Sequence, residues 1–327
     1  MRDDPRPFAT LSPERVLDAV EATGLPCDGR LLALNSYENR VYQVGVEDAA
    51  PVVAKFYRPG RWSDAAIEEE HAFVAELAAA EVPVVPALTP GGAVLHHLEG
   101  FRFSVYPRQG GRAPELEDLE VLGRLGRFLG RIHRVGAAAG FRHRPTLDAE
   151  SYGRRPRELL LGGDWVPAGL AAPWRAAVDY ALEQVDACFA RAGAVRSLRL
   201  HGDCHVGNVL WTDDGPHFVD FDDCRTGPAV QDLWMLLSGS REDMTRQLGA
   251  VLEGYEMFMD FDPAELHLVE ALRTLRLIHY AGWLARRWDD PAFPAAFPWF
   301  GEPRFWEDMI LNLREQIALM DEPPLAA

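Results

Sequence analysis

Lysine is almost missing from this chain. Of its 33 basic residues 32 are arginine, and the single ammonium is Lys55, inside the apolar run Pro51-Val52-Val53-Ala54-Lys55-Phe56-Tyr57. Arginine is a planar fork, whereas lysine is a compact point charge on a flexible stem. A lone lysine in an arginine-rich chain therefore marks a position where a guanidinium does not serve. Cysteine is scarce as well. Cys27, Cys188, Cys204 and Cys224 lie far apart without paired spacing, which excludes a disulfide scaffold and fits a reducing cytoplasm. No apolar run approaches the ~20 residues that span a bilayer, and residues 1–7 carry no apolar segment. Neither a membrane association nor a secretory signal is expected. Positive charge is in deficit, with a net charge of −17, which disfavours nucleic acid and anionic lipid as partners. A nucleotide remains compatible, because a few local cations and backbone N–H groups suffice to hold its phosphates.

What is present suits a globular chain. With 327 residues, 48% of them hydrophobic, and nine tryptophans, there is material for a real core in one large domain or two lobes. Ser12-Pro13 reads as an N-cap and first helical residue, opening a helix to about residue 23. Strand-like runs follow at 31–35, 40–46 and 52–57. Ser63 or Asp64 caps a helix to about 81, with Ile67, Phe73, Val74 and Leu77 at helical spacing. Further strands are expected at 93–97 and 101–106. Pro107 to Arg112, with its paired glycines, reads as a hinge. Beyond it the pattern turns helical, at 116–135, 174–192, 231–237, 241–259, 263–287 and 304–320. Gly123, Gly126 and Gly130 in the first of these permit close approach of another element. The proline-rich, aromatic stretch 289–303 reads as an ordered surface loop, and Arg154, Arg155 and Arg157 as a solvated basic face. The fold class expected is α+β, with a small antiparallel sheet and one main helix in residues 1–106 and a larger, mainly helical part in 107–327.

The chemistry concentrates in Leu200-His201-Gly202-Asp203-Cys204-His205-Val206-Gly207-Asn208-Val209-Leu210-Trp211, followed by Pro216-His217-Phe218-Val219-Asp220-Phe221-Asp222-Asp223. Residues 208–211 and 217–220 read as strands joined by a turn at 212–216. If they pair, Asn208 and Asp220 stand at one end of the hairpin, where two oxygen donors suit a hard cation such as Mg²⁺. Asp203, five residues earlier, offers a carboxylate able to take a proton from an attacking hydroxyl.

His-Gly-Asp-x-His-x-Gly-Asn followed by Val-Asp-Phe-Asp resembles the catalytic core of the aminoglycoside-phosphotransferase and choline-kinase-like branch of the protein-kinase-like fold. Three flanking segments, Ser36 to Tyr42, Val53 to Pro59 and Gly227 to Met235, narrow the resemblance to a bacterial stress-response kinase subfamily. The resemblance implies a bilobal fold and an ATP- and Mg²⁺-dependent phosphotransferase. Asp203 would be the catalytic base, Asn208 and Asp220 the metal ligands, and Asp220 part of the catalytic set. Lys55 would hold the α/β-phosphates, steadied by Glu70, with Glu69 as the rival on the same helix. Backbone groups near Tyr106 and Arg108 would meet adenine. His201, Asp222 and Asp232 would support the loop. One departure stands out: a protein kinase covers the phosphates with a G-x-G-x-x-G loop, whereas this chain has Asn35-Ser36-Tyr37-Glu38-Asn39-Arg40, so Ser36 and nearby N–H groups would take that place.

The resemblance implies a serine/threonine protein kinase of bacterial stress protection, acting on a protein hydroxyl, and with no segment that reads as a dimerisation coil a monomer is expected. Two alternatives share the same motifs: a small-molecule kinase acting on choline, homoserine or an aminoglycoside, and a nucleotide-binding pseudokinase. A zinc site built from His201, Cys204, His205 and Cys224 is disfavoured by irregular spacing.

Overall fold

The structure is a computed structural model and describes residues 6–326; residues 1–5, where no secretory signal is expected, and residue 327 lie outside the described residues. The chain forms two compact units, one made of Met1–Pro114, Phe141–Arg144 and Val206–Cys224 and the other of Glu115–Gly140, Pro145–His205 and Arg225–Ala327. Among the described residues no helix is long and apolar enough to cross a membrane.

The first unit opens with α1 (Pro13–Glu21), whose N-cap Ser12 accepts from the Arg15 N–H. A five-stranded antiparallel sheet follows in the order β1-β2-β3-β5-β4. Its strands are β1 (Cys27–Leu34), β2 (Arg40–Val46), β3 (Val52–Phe56), β4 (His96–Leu98) and β5 (Phe101–Pro107). β1 starts four residues before the expected strand because a register shift between Cys27 and Leu31 lets the early part pair with Val46. Such an irregularity hides the strand from a strict two-residue alternation. One helix, α2 (Asp64–Ala79), is inserted between β3 and β4, capped by Ser63 and burying Ile67, Phe73, Val74 and Leu77. Val52, Ala54 and Phe56 join Val16, Ala19 and Val20 of α1 in one core. Alternation along β3 therefore turns Lys55 to the opposite face.

The same unit contains a hairpin of Val209–Thr212 and Gly215–Phe218. Its loop is only Asp213-Asp214, since Thr212 already pairs with Gly215 and Trp211 with Pro216. The turn is thus tighter than the five residues expected. Pro216 is tolerated because its strand belongs to a two-stranded ribbon with an open edge.

The second unit is mainly helical. It comprises α3 (Leu119–Gly136), α4 (Arg155–Gly162), α5 (Ala168–Ala192), α6 (Val230–Trp234), α7 (Arg241–Tyr255), α8 (Val269–Arg287), α9 (Ala292–Ala296) and α10 (Pro303–Asp321). A Cβ at Gly126 or Gly130 would collide with the carbonyl oxygen of Val251 or Tyr255, so these glycines let α3 and α7 approach closely. Trp174 of α5 meets Trp306 of α10 edge-on, with centroids 5.8 Å apart. A ribbon of Ser197–Leu200 against Arg225–Pro228 completes the unit.

Several expectations need correction. Residues 263–268 form a tighter 3-10 turn capped by Asp262 rather than the start of α8. Residues 289–303 are not simply a loop, because α9 and a 3-10 turn at 298–301 bury Phe293 and Phe300. The arginines at 154–157 do lie on a solvated face, Arg154 ending a π-turn and Arg155 opening α4, and there Arg154 pairs with Asp186 and Arg157 with Asp179, each at 2.5 Å.

Glu265, in the turn before α8, is buried and accepts the Val230 N–H at 2.8 Å. Burial pushes its carboxyl up to about 7 from an ordinary 4.5. The folded state binds this proton more tightly than the unfolded chain does, so its stabilising effect is complete below the unfolded value and is lost as pH rises through about 7. Glu265→Gln keeps the acceptor and removes the titration. Its stability advantage over the parent chain is expected to grow by about 2–3 kcal/mol from pH ~5 to pH ~8 in chemical denaturation; a constant difference would contradict the assignment.

Candidate active site

In the first unit Glu70, Asp220 and Asp222, three of the residues singled out by sequence, meet at Lys55. On β3 it lies opposite Val41 of β2 and Ser104 of β5. Its ammonium lies 3.0 Å from Asp220 Oδ1, 3.2 Å from Asp222 Oδ1 and 3.9 Å from Glu70 Oε1. Burial works against the charged form, but Asp220, Asp222 and Glu70 outweigh it and hold Lys55 well above the usual lysine range. Glu70 is the most distant of the three carboxylates. Burial pushes it up to about 7 despite Lys55 and Arg144, so it takes a proton more readily than Asp222, which is held below the usual range.

The adjacent acids of α2 do different jobs. Glu69 accepts from the backbone N–H groups of Arg142, His143 and Arg144 at 2.6, 2.8 and 3.0 Å. It ties the 141–144 segment to the helix, while Glu70 faces Lys55 and, at 3.7 Å, Arg144. The spacing of Glu70, Val74 and Leu77 on one helical face explains the choice.

Asp222 is buried as well. Asn39 Nδ2 donates to it at 3.1 Å, the Arg61 guanidinium pairs with the same oxygen, and Arg144 donates to its backbone carbonyl. Burial raises its carboxyl, but Arg61 and Lys55 more than offset this and hold it below the usual range. Arg61, Arg144 and Asn39 were not identified as site residues from sequence. Asn39 lies inside a quoted segment, but nothing in the order of residues links Arg61 or Arg144 to an acid more than seventy positions away.

Asp220 adopts φ 59, ψ 60, a left-handed conformation that is uncommon outside glycine and is concentrated at functional sites. The Val219 N–H donates to the Asn208 carbonyl at 3.0 Å, so Asn208 and Asp220 flank the open end of the hairpin. Among the described residues no group of three or more His, Cys, Asp or Glu could hold a metal ion. One carboxylate and one amide oxygen, with Asp220 54% exposed, fit Mg²⁺, which keeps waters and takes phosphate oxygens alongside one or two carboxylates. They do not fit zinc with four protein ligands.

Ser36 Oγ donates to the Asn39 carbonyl at 3.0 Å, closing the turn between β1 and β2. Tyr106 lies opposite Val53, and its hydroxyl lies 3.1 Å from that of Tyr57. Tyr57 in turn contacts His71 at 2.9 Å. Burial, then Lys55, drives His71 down to about 4, so this network is neutral. Arg108 follows β5, is exposed, and donates to Gln43 Oε1 at 3.2 Å.

The remaining residues belong to the second unit. Asp232 of α6 accepts from the N–H groups of His201 and Gly202, each at 2.9 Å, and pairs with His133 Nε2 of α3 at 3.0 Å. Burial raises its carboxyl, but hydrogen bonding and charge from His133, with His201 and Gly202, hold it below the usual range. Asp232 thereby fixes the loop that carries Asp203, and the Asp203 N–H lies 3.4 Å from His201 Nδ1. His133, itself 3.0 Å from the Tyr255 hydroxyl, was missed by the sequence reading, where it counted only as part of α3. So was Arg276 of α8, whose Nη1 donates to Asp203 Oδ1 at 2.5 Å. His205 Nε2 lies 3.6 Å from the other carboxylate oxygen.

A buried lysine among acids on one sheet, a hairpin carrying an amide and a carboxylate, and a tethered loop aspartate are the parts of a phosphotransferase. The profile of the phosphotransferase enzyme family matches residues 30–269, and the chain belongs to that family. Within it the likeness narrows to the kinases named stress response kinase A. The chain is 46% identical over 318 residues to stress response kinase A of Escherichia coli K12, covering 97% of this chain and 96% of that one. It is 44% identical over 325 residues to the serine/threonine protein kinase RdoA of Salmonella typhimurium, covering 99% and 98%. Among solved structures, amicoumacin kinase hAmiN in complex with AMP-PNP, Ca²⁺ and Ami shares the fold, with TM-score 0.71, 19% identity and coverage of 96% and 94%. The chain is a kinase with an α+β fold, as expected from its motifs.

Proposed function

We propose that this kinase transfers the γ-phosphoryl group of ATP to a serine or threonine hydroxyl of a protein, in a cytoplasmic stress response and as a monomer. Residues 1–106 are read as the nucleotide lobe and 107–327 as the lobe for catalysis and the acceptor. The carrying observation is the cluster around Lys55, in which the chain's single ammonium is held by Asp220, Asp222 and Glu70. Such a charge is poised to exchange carboxylate partners for phosphate oxygens. The names of the full-length relatives support both the protein acceptor and the stress role.

In this reading Lys55 neutralises the α/β-phosphates, Glu70 steadies it, and Ser36 with nearby N–H groups covers the phosphates. Backbone groups near Tyr106 and Arg108 meet adenine. Asn208 and Asp220 would hold Mg²⁺, which when bound neutralises charge on the phosphates. Asp203 orients the acceptor hydroxyl and takes its proton. His201, Asp222 and Asp232 keep these groups in place. Catalysis then rests on positioning and electrostatics.

The test is transfer of label from γ-labelled ATP, with Mg²⁺ present or chelated, to protein on one side and to choline, homoserine and an aminoglycoside on the other. Phosphoserine or phosphothreonine that needs Mg²⁺ is the expected product. Phosphorylation confined to a small alcohol would transfer the assignment to a small-molecule kinase, and nucleotide binding without any transfer would make the chain a pseudokinase.

A further inference from the structure

A guanidinium sits directly on the proposed catalytic base. Arg276, on the third turn of α8, reaches Asp203 Oδ1 at 2.5 Å, and the two side chains are 41% and 24% exposed. The neighbouring arginine on the same helix, Arg273, is engaged elsewhere, with Glu270 at 3.3 Å and over the Trp234 ring at 5.3 Å. His205, 3.6 Å from the other carboxylate oxygen, adds no negative charge. One turn beyond Arg276 the surface of α8 is aromatic rather than acidic. Tyr280 is exposed and stacks with Trp283 and Trp299 at 5.7 and 6.4 Å between centroids.

The chain carries a net charge of −17, yet the Asp203 carboxylate is met by a cation. An acceptor whose hydroxyl reaches Asp203 must bring the atoms two or three bonds away close to Arg276. In choline or an aminoglycoside those atoms include an ammonium. Like charges about 6 Å apart, screened because Arg276 is part-exposed, oppose each other enough to discriminate by about two- to fivefold. A hydroxyl flanked by a carboxylate meets attraction of similar size.

We infer that Arg276 is the residue that sets acceptor selectivity, rejecting alcohols with a cation beside the hydroxyl and favouring a serine or threonine with an acidic neighbour. The inference rests on the kinase reading above, in which Asp203 is the base. It makes Arg276 a positioning and selectivity residue, since in the structure it acts through Asp203.

The experiment compares two threonine peptides, alike except for glutamate or lysine next to the threonine, together with choline. Binding is measured by calorimetry and transfer by kcat/KM, for the parent chain, Arg276→Gln, Arg276→Glu and Arg276→Lys. The parent chain is expected to favour the glutamate peptide about tenfold, mainly through KM. Arg276→Gln should erase the preference, Arg276→Glu should reverse it and admit choline, and Arg276→Lys should restore it. Equal preference in all four proteins, even with a general fall in rate, would show a merely structural contact and overturn the inference. Binding is read independently of turnover. Selective binding without transfer would therefore count against the kinase reading and for the selectivity role. Transfer that ignores the flanking charge would do the opposite.

Discussion

Asp203→Asn is expected to lower phosphoryl transfer by about 10²–10⁴-fold, the usual contribution of a general base, while nucleotide affinity stays within about twofold. Asparagine preserves the shape of the side chain and loses the basic oxygen. The loop backbone hangs from Asp232 through His201 and Gly202, and Gln231 Nε2 donates to the Gly202 carbonyl at 3.2 Å. The substitution also dissolves the ion pair with Arg276, but part-exposed pairs of this kind contribute only about 0–1 kcal/mol. The variant should therefore fold normally, which separates a chemical defect from a structural one. Single-turnover transfer from γ-labelled ATP, beside equilibrium binding of a fluorescent nucleotide, checks both halves. A rate within tenfold of the parent would remove Asp203 from the chemistry.

The contrast between Asp203 and its surroundings shows what the sequence made legible. A short loop with polar residues between apolar runs announces itself, because His201, Asp203, Asn208 and Asp220 fall within twenty positions of one another. Period arguments located α2 and placed Glu70 on the face that reaches Lys55. They could not show that Glu69 would cap the 141–144 segment, since that contact spans more than seventy residues. Arg61, Arg144 and Arg276 were hidden for the same reason. Each is one arginine among 32, and only tertiary folding selects which carboxylate it meets. The ribbon of 197–200 against 225–228 was missed because four-residue strands carry too little alternation to register. α9 was masked by prolines that read as loop, although Pro291 serves as its N-cap and buried Phe293 anchors it.

Lys55→Met should have the second large effect, on both transfer and stability. Methionine matches the length of the lysine stem and removes the charge, leaving Asp220, Asp222 and Glu70 without the ammonium they share. Breaking one side of a buried ion cluster costs about 3–5 kcal/mol. Arg61 still faces the Asp222 carboxylate, whereas Glu70 keeps Arg144 at the longer distance of 3.7 Å, so the loss should fall most on Glu70 and Asp220. The pH dependence has a definite sign. Glu70 already stands at about 7 with Lys55 beside it; without the ammonium its carboxyl rises further. An acid with a raised folded value stabilises below its unfolded value and loses that contribution as pH increases. The deficit of Lys55→Met should accordingly be larger at pH ~8 than at pH ~5.5, as read by denaturation and by hydrogen exchange in β3 and α2. Lys55→Arg restores the charge but must seat a wider, planar head where the lysine is only 6% exposed. It is expected to recover part of the stability and little of the transfer. Wild-type transfer by Lys55→Arg would mean that a guanidinium serves at position 55 as well as an ammonium, and the chain's single lysine would carry no chemical meaning.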